Sequence, residues 1–191
     1  AFGIGWSIAA GGRGGGWRED WVRLAADVEM AETAGRAVFA LCDRTINEWN
    51  AKSAASQLNS ASANVDVPLP GPLAEVLEAS ASAHAISGGR FDPTVGALTR
   101  AWRDALSEEP PRVLDSAEVA AARCDWTTQL CVGEASARKG NAGLRLDIGG
   151  GAKGWCIEQS VRRLREAGMN DVLVEARTPA HRLRAPARAL S

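Results

Sequence analysis

The feature that most constrains this chain is a glycine-rich turn between an apolar strand and an amphipathic helix. It reads "LRLDIGGGAKGWCIEQSVRRLREAG" over residues 144–168. A glycine turn that leads into a helix presents backbone N–H groups at the positive end of the helix dipole. Such a helix N-terminus is a common binding site for phosphate. Three kinds of phosphate site must therefore be distinguished: a P-loop, a Rossmann dinucleotide fingerprint and a metal-assisted site.

The residues that follow the glycines exclude a P-loop. That motif needs a lysine followed directly by serine or threonine, whose hydroxyl binds the magnesium ion. Here Gly154 and Trp155 follow Lys153, so the hydroxyl is missing from the position where the chemistry requires it.

The Rossmann fingerprint fits better but not completely. Gly149, Gly151 and Gly154 satisfy G-x-G-x-x-G between a predicted strand and a predicted helix, and Glu175 follows where a ribose-binding acid belongs. Asp147 argues against this interpretation, because a carboxylate directly before the glycines repels a pyrophosphate unless a metal intervenes. An NAD(P)-binding Rossmann module therefore remains the alternative hypothesis.

Asp147 is easier to explain in a site that holds a hard cation. A carboxylate and exposed carbonyls in a glycine turn are suitable ligands for Mg²⁺. The helix N-terminus and Lys153 then face phosphate oxygens. For one isolated motif, however, a tight strand-to-helix turn capped by Asp147 is the simpler interpretation.

The order of hydrophobic patterns predicts an α+β fold with a mixed, partly antiparallel sheet packed with helices. Strand-like alternation and an apparent hairpin near residues 124–148 favour this class over strict strand–helix alternation. We predict strands at 2–8, 126–132, 144–148 and 172–176. We predict helices at 21–49 and 53–58, from Pro72 to the break at "SGGRFDP", at 93–104 with Asp92 as N-cap, after a Ser116 cap, and at 152–167.

Composition excludes several functional classes. A formal net charge of -1 argues against a nucleic-acid partner, and no apolar run reaches the ~20 residues of a transmembrane segment. We read Cys42 and Cys156 as buried thiols and do not expect a Cys/His metal site. His84 shares a helix face with Leu77, so we read it as structural.

Two segments, in this order, resemble signatures of the FAD:protein FMN transferases, the ApbE flavin-transferase family. They are "SGGRFDPTVGALTRAW" (87–102) and "DIGGGAKGW" (147–155). The segments "FGIGWSI", "INEWNAKSAASQLN" (46–59) and "AGMNDVLVEA" resemble further parts of that family. The resemblance covers about residues 1–176 and implies an α+β, ApbE-like (T-fold-like) domain that is incomplete at its C-terminus.

The resemblance implies a Mg²⁺-dependent phosphoryl-group transfer with FAD as substrate. A threonine hydroxyl of an acceptor protein, a redox flavoprotein subunit, attacks the FMN-side phosphorus of FAD, and AMP leaves. A non-catalytic FAD-binding module of the same fold is a second alternative. Family members often work outside the cytoplasm, but the compartment of this chain stays undetermined, because Ala1 is not a methionine and we expect further sequence upstream.

The resemblance also assigns roles to individual positions. Gly150 matches the residue whose backbone carbonyl binds Mg²⁺. Two of the positions have a plainer explanation: Trp49 as a core residue at the end of a helical stripe, and Asp92 as a helix cap. The positions that match FAD contacts are Phe2, Trp49, Arg90, Phe91, Asp92, Asp147 and Lys153.

The last segment, residues 177–191, has a different character. It contains four arginines and no acid, so we expect either a disordered basic tail or sequence from a shifted reading frame. The Asp and Thr that complete the Mg²⁺ site in the family have no match in these 191 residues. On that resemblance we expect the chain by itself to be impaired in transfer.

Overall fold

The computed structural model describes residues 17–169 and 174, with side chains from residue 29 onward. In this part, helices alternate irregularly with three short strands, which confirms the predicted α+β class. The elements are α1 (Trp17–Thr45), α2 (Ala54–Ser60), β1 (Asp66–Pro68), α3 (Gly71–Ile86), α4 (Gly96–Ser107), α5 (Ser116–Ala122), α6 (Trp126–Gln129), β2 (Leu130–Val132), β3 (Ser136–Lys139) and α7 (Gly149–Glu166).

The three strands form one antiparallel sheet in the order β1-β3-β2. The β2–β3 pair is the hairpin predicted near 124–148. Strand β2 occupies the end of the predicted strand 126–132, whereas β3 lies before the predicted strand 144–148. "WTTQ" forms helix α6, because the Asp125 side chain accepts the Thr128 N–H and caps a helical turn there. "LRLDI" makes one parallel bridge, from Arg145 to Val95, in place of a regular strand.

Helix α1 begins earlier and ends earlier than predicted. It starts at Trp17 and ends at Thr45, so Trp49 follows the helix and is 57% exposed rather than a core residue. The chain leaves the helix where the side-chain amides of Asn47 and Asn50 donate to Asp43, since such side chains compete with helical backbone bonding.

Helix α4 begins at Gly96 rather than at Pro93. Asp92 is not its cap: its carboxylate accepts the Thr94 N–H at 2.8 Å and the Thr94 hydroxyl at 2.6 Å, which closes a local turn. The Pro93 carbonyl and the Gly96 N–H are hydrogen-bonded to residues 145–147 and are not available for helical bonding, so the first helical bond runs from the Thr99 N–H to the Val95 carbonyl.

Other helix boundaries agree with the patterns to within a few residues. Helices α2 and α3 form where predicted, with Ser53 as the side-chain cap of α2. Asp115 rather than Ser116 caps α5, in a capping box with Glu118. Helix α7 starts at Gly149, three residues before the predicted start.

The core lies between helices α1, α3 and α7 and the inner face of the sheet. Cys42 and Cys156 are buried in it as predicted, but as a disulfide that joins α1 to α7 rather than as thiols. The predicted strands at 2–8 and 172–176 and the tail at 177–191 lie outside the described residues, except Val174. The core side chains are Val38, Cys42, Ile46, Ala55, Leu58, Val67, Leu69, Leu73, Val76, Leu77, Ala137, Leu144, Leu146, Ile148, Trp155 and Cys156.

Candidate functional site

Two segments distant in sequence run side by side and form the base of the site. The Gly96 N–H donates to the Arg145 carbonyl at 3.0 Å, and the Asp147 N–H donates to the Pro93 carbonyl at 2.7 Å. A Cβ at Gly96 would lie 2.7 Å from the carbonyl oxygens of both Arg145 and Leu146, so only glycine permits this approach. The segments "FDPTVG" and "RLDIGG" are thereby joined into one structure.

Asn59, at the end of α2, fixes the same segment from a third direction. Its side chain accepts the Leu146 N–H at 2.7 Å and donates to the Leu146 carbonyl at 3.2 Å, as a neighbouring strand would. Asn59 is only 4% exposed, so water cannot replace these two bonds. They therefore place the residue that directly precedes Asp147.

A buried lysine, Lys139, holds together the backbone segments next to this arrangement. Lys139 is fully buried, and burial lowers the pKa of its ammonium group. The group compensates for its lost hydration by donating to backbone carbonyls rather than to a carboxylate. Those acceptors are Asn59 O at 2.9 Å, and Ala142 O and Leu144 O at 3.1 Å each.

A cavity of about 380 Å³ opens above this base. Its wall combines one face of α4, the loop after α1 and the segment that leads into α7. The lining is strongly charged, with both signs present. The residues are Glu48, Trp49, Asn59, Gly96, Thr99, Arg100, Arg103, Asp104, Arg145, Leu146 and Asp147.

Two carboxylates meet at the start of α7. A Cβ built on Gly149 would lie 3.7 Å from Glu48 Oε1 and 3.8 Å from Asp147 Oδ1, so both acids border the same point. The Ile148 N–H donates to Glu48, which lowers the pKa of that carboxyl. Burial and the Asp147 charge outweigh this effect and raise the pKa of Glu48 to about 7.

Arginines supply the opposite charge. The Arg103 guanidinium lies 4.7 Å from the centre of the Trp49 ring, which is a cation–π contact at the cavity entrance. Arg145 reaches the cavity from the segment beside Val95. Arg100, one turn before Arg103 on α4, forms a long ion pair with Asp104 at 3.7 Å.

The structure places the sequence-predicted site residues in three groups. Trp49 and Asp147 line the cavity. Gly150 and Lys153 are exposed on the first turns of α7 and do not line it. Phe2 lies outside the described residues.

The third group is the turn between α3 and α4, which carries Arg90, Phe91 and Asp92. Arg90 and Phe91 are exposed, Asp92 is half-buried, and none of the three lines this cavity. The glycines before them, with φ of 61° and 79°, allow the chain to reverse after α3. His84, which we read as structural, has its Nδ1 2.8 Å from the Phe91 carbonyl oxygen, so the end of α3 contacts this turn.

Sequence reasoning missed several residues of the cavity, above all Glu48, Asn59, Arg103 and Arg145. Glu48 and Asn59 belong to the segment 46–59 that carried part of the resemblance, but only the fold reveals their partners near residue 147. Arg103 could have been found from helical spacing, because Gly96, Thr99, Arg100 and Arg103 share one face of α4.

The structure does not support the Rossmann interpretation. Gly149, Gly151 and Gly154 all lie inside α7, and none has the positive φ of a tight phosphate-binding turn. A Cβ at Gly154 would meet no atom within 4 Å, so no close backbone approach requires that glycine. The sheet is antiparallel within the described residues, and Glu175 lies outside them.

In residues 29–169, whose side chains the structure describes, no three His, Cys, Asp or Glu side chains come together as a potential metal cluster. None of the described helices combines the length and apolar character that a bilayer crossing requires.

Comparison with known proteins identifies a family. The ApbE family model matches residues 3–178. The FAD:protein FMN transferase of Chlamydia trachomatis is 42% identical over 65 residues, which are 34% of this chain and 21% of that protein. The enzyme of the same name from Rhodobacter capsulatus is 33% identical over 107 residues, 54% of this chain and 20% of the relative.

Solved structures show the same fold. The apo flavinyl transferase ApbE of Pseudomonas stutzeri has a TM-score of 0.71 at 20% identity, over 91% of this chain and 55% of that one. A mutant of the flavin transferase ApbE from Vibrio cholerae has a TM-score of 0.74 at 18% identity, over 89% and 56%. The chain thus spans little more than half of these structures and a smaller part of the curated relatives.

Proposed function

Because this chain belongs to the ApbE family, we propose that it binds FAD and takes part in transferring its FMN moiety to an acceptor protein. The observation that carries this proposal is the convergence of three family-like segments on one charged cavity. Residues 46–59 contribute Trp49 and Asn59, the second segment contributes Gly96, and the third contributes Asp147.

The cavity has the chemical features that a flavin dinucleotide needs. Trp49 offers an exposed aromatic face at the entrance, suited to stacking on the isoalloxazine ring. Ile148, the N-cap residue of α7, makes no side-chain cap bond, and we assign the first N–H groups inside the helix to phosphate oxygens. We assign Lys153, and Arg90, Phe91 and Asp92 on the α3–α4 turn, to the parts of FAD that extend beyond this cavity.

The donor set also fits Mg²⁺, which prefers carboxylate and carbonyl oxygens. The carboxylates of Glu48 and Asp147 lie together at low local solvation, and a divalent cation would relieve their repulsion. We assign the cation to this end of the cavity, with Asp147 and the Gly150 carbonyl as neighbours. Bound there, Mg²⁺ would offset the negative charge of the phosphates.

In the proposed reaction, a threonine hydroxyl of the acceptor attacks the FMN-side phosphorus of FAD. A threonine O–P bond forms, the bond to the AMP phosphate oxygen breaks, the hydroxyl proton is released, and AMP leaves. Such transfers are accelerated mainly by positioning and by charge stabilisation. The chain contributes by holding the Asp147 turn, through Asn59 and Gly96, at a fixed place beside the substrate.

Equilibrium titration tests the binding half of this proposal. The 191-residue chain, with Mg²⁺ present, should bind FAD and should bind NAD much more weakly. Asp147→Ala should lower the affinity for FAD at least about tenfold, as expected when a charge-assisted contact is lost. The matched control Asp66→Ala removes an exposed acid of β1 and should leave the affinity for FAD unchanged. Equal binding of NAD and FAD, or an Asp147→Ala protein with unchanged affinity, would refute the assignment.

Product analysis tests the transfer half. The chain is incubated with FAD, Mg²⁺ and an acceptor protein, and the acceptor is resolved on a denaturing gel. Flavin fluorescence on the acceptor band demonstrates transfer if it disappears when the target threonine of the acceptor is replaced by valine. FMN and AMP without a labelled acceptor demonstrate hydrolysis alone, and bound but unchanged FAD identifies a non-catalytic FAD-binding module.

A further inference from the structure

We propose that Arg103 and Arg145 select a substrate that carries a pyrophosphate, by binding its phosphate oxygens inside the cavity. This inference rests on the proposed use of FAD and names the side chains that distinguish FAD from a flavin without phosphate. Neither position belongs to those that the resemblance assigned to FAD.

The two arginines reach one cavity from separate elements. Arg103 lies on α4, and Arg145 lies on the segment that bridges to Val95 at the start of the same helix. Both guanidinium charges act to lower the pKa of Glu48, so both lie near the same carboxyl. Two cations that approach one space from different backbone segments can contact different oxygens of a single anion.

Within residues 29–169, neither guanidinium forms an ion pair with a carboxylate. The ion pairs found within residues 29–169 include Arg100 with Asp104, but they do not include Arg103 or Arg145. Each guanidinium has five N–H donors in a planar fork that matches the geometry of phosphate. Arg103 and Arg145 therefore offer donors to a ligand at little cost to the protein's own contacts.

The charge balance of the cavity also indicates an anion. Once Arg100 is paired with Asp104, Arg103 and Arg145 face the two carboxylates Glu48 and Asp147. If Mg²⁺ binds at those carboxylates, the remaining excess is two positive charges. A pyrophosphate diester such as that of FAD carries two negative charges at neutral pH, whereas riboflavin carries none.

The contact between Arg103 and Trp49 explains how one of these cations is held in place. The guanidinium lies over one face of the exposed indole ring, and stacking leaves its in-plane N–H groups available for hydrogen bonds. The same pair would thus place a flavin-stacking surface beside a phosphate-binding group, in the order that they occur along FAD.

The test compares riboflavin and FAD as ligands of the 191-residue chain in the presence of Mg²⁺. Arg103→Met, Arg145→Met and the double variant keep much of the side-chain volume, and methionine still packs against Trp49. Each single variant should lower the affinity for FAD about tenfold or more, as expected for the loss of a hydrogen bond to a charged group. The affinity for riboflavin should stay within about twofold of the parent value. Arg138→Met, at an exposed site on β3 away from the cavity, is the matched control and should affect no ligand.

Inorganic pyrophosphate provides a second readout that does not need flavin. Calorimetry should detect its binding to the parent chain and not to the double variant, and it should compete with FAD only in the parent. Equal losses for riboflavin and FAD, unchanged FAD affinity, or equal pyrophosphate heats in parent and double variant would each overturn the inference. Absence of FAD binding to the parent chain would instead refute the proposed function, and the pyrophosphate measurement would still decide the role of the arginines.

Discussion

The base and the entrance of the cavity are built by different interactions. At the base, Asn59, Gly96 and Leu146 are joined by buried hydrogen bonds and a backbone contact that admits no Cβ. At the entrance, an exposed cation–π contact links the Arg103 guanidinium to the Trp49 ring. From this difference we expect the base to determine whether the site forms and the entrance to determine what it binds. Substitutions at the base should therefore cost stability, and those at the entrance should cost affinity.

The sharpest test of the base is Gly96→Ala. The added methyl group would lie 2.7 Å from two backbone carbonyl oxygens, which cannot move without breaking their own bonds. We expect a loss of about 3 kcal/mol or more in the free energy of unfolding, measured by urea denaturation. The control Gly154→Ala lies in α7 with open space around it and should be neutral or stabilising by up to ~1 kcal/mol. Similar losses in both variants would contradict the close-approach explanation.

The next largest effect should come from Asn59→Ala. Truncation leaves the buried N–H and C=O of Leu146 without partners, and we expect about 2–3 kcal/mol of destabilisation in the same assay. The control Asn141→Ala removes a side-chain acceptor from an exposed turn, where water can replace it, and should cost under about 1 kcal/mol. If the two variants are equally stable, the Asn59 bonds do not hold the base.

Glu48 lies between the two regions, and its substitution should raise the free energy of unfolding rather than lower it. The folded-state pKa of about 7 exceeds the ordinary value of 4.5, so the folded protein favours the protonated acid and loses stability as pH rises from 4.5 through 7. Glu48→Gln should therefore be more stable than the parent at pH 8, by roughly 1 kcal/mol after allowance for partial solvent exposure.

That advantage of Glu48→Gln should vanish near pH 4, where Glu48 is protonated in both the folded and the unfolded chain. Urea denaturation at the two pH values measures the difference. Glu78→Gln, at an exposed position of α3, is the control and should show no such pH dependence. A Glu48→Gln advantage that is equal at both pH values would contradict the role of ionisation. We also expect this variant to bind Mg²⁺ and FAD more weakly.

The smallest effect on stability should come from the entrance. Trp49→Leu removes one exposed cation–π contact, worth under about 1 kcal/mol, and leaves the buried base intact. FAD affinity should nevertheless fall about tenfold if the exposed ring stacks on the flavin, since stacking of this kind contributes roughly 1–3 kcal/mol. Titration and denaturation of the same preparation separate the two effects. A large loss of stability with unchanged FAD affinity would reverse the comparison between entrance and base.

Elements with strong local signals were predictable from the sequence. Apolar spacing located α3 and α7, and Ser53 marked the start of α2. The strands were predicted poorly, because β1, β2 and β3 have only three or four residues and such short alternation is not distinctive. Helix α4 was misplaced because Asp92 and Pro93 carry a helix-start signal that bonds to the distant segment 145–147 override.

The candidate site divides in the same way. Trp49 and Asp147 were predictable because they stand in recognisable motifs, and both line the cavity. Lys139 was not predictable, since a lysine in a short strand gives no indication that three backbone carbonyls will surround it. Glu48 was missed for a related reason: its partners, Ile148 and Asp147, are brought to it only by the tertiary fold.

The pairing of Val95 with Arg145 has a consequence for how the site is assembled and how it can vary. Contacts between residues so far apart in sequence close late and slowly during folding, because the intervening chain must first be ordered. A peptide that carries either motif alone should therefore contain no part of the binding site in formed geometry. Conversely, loop-closure entropy grows only slowly with length, so the exposed connection between α4 and α5 can accept insertions while the two motifs remain in register.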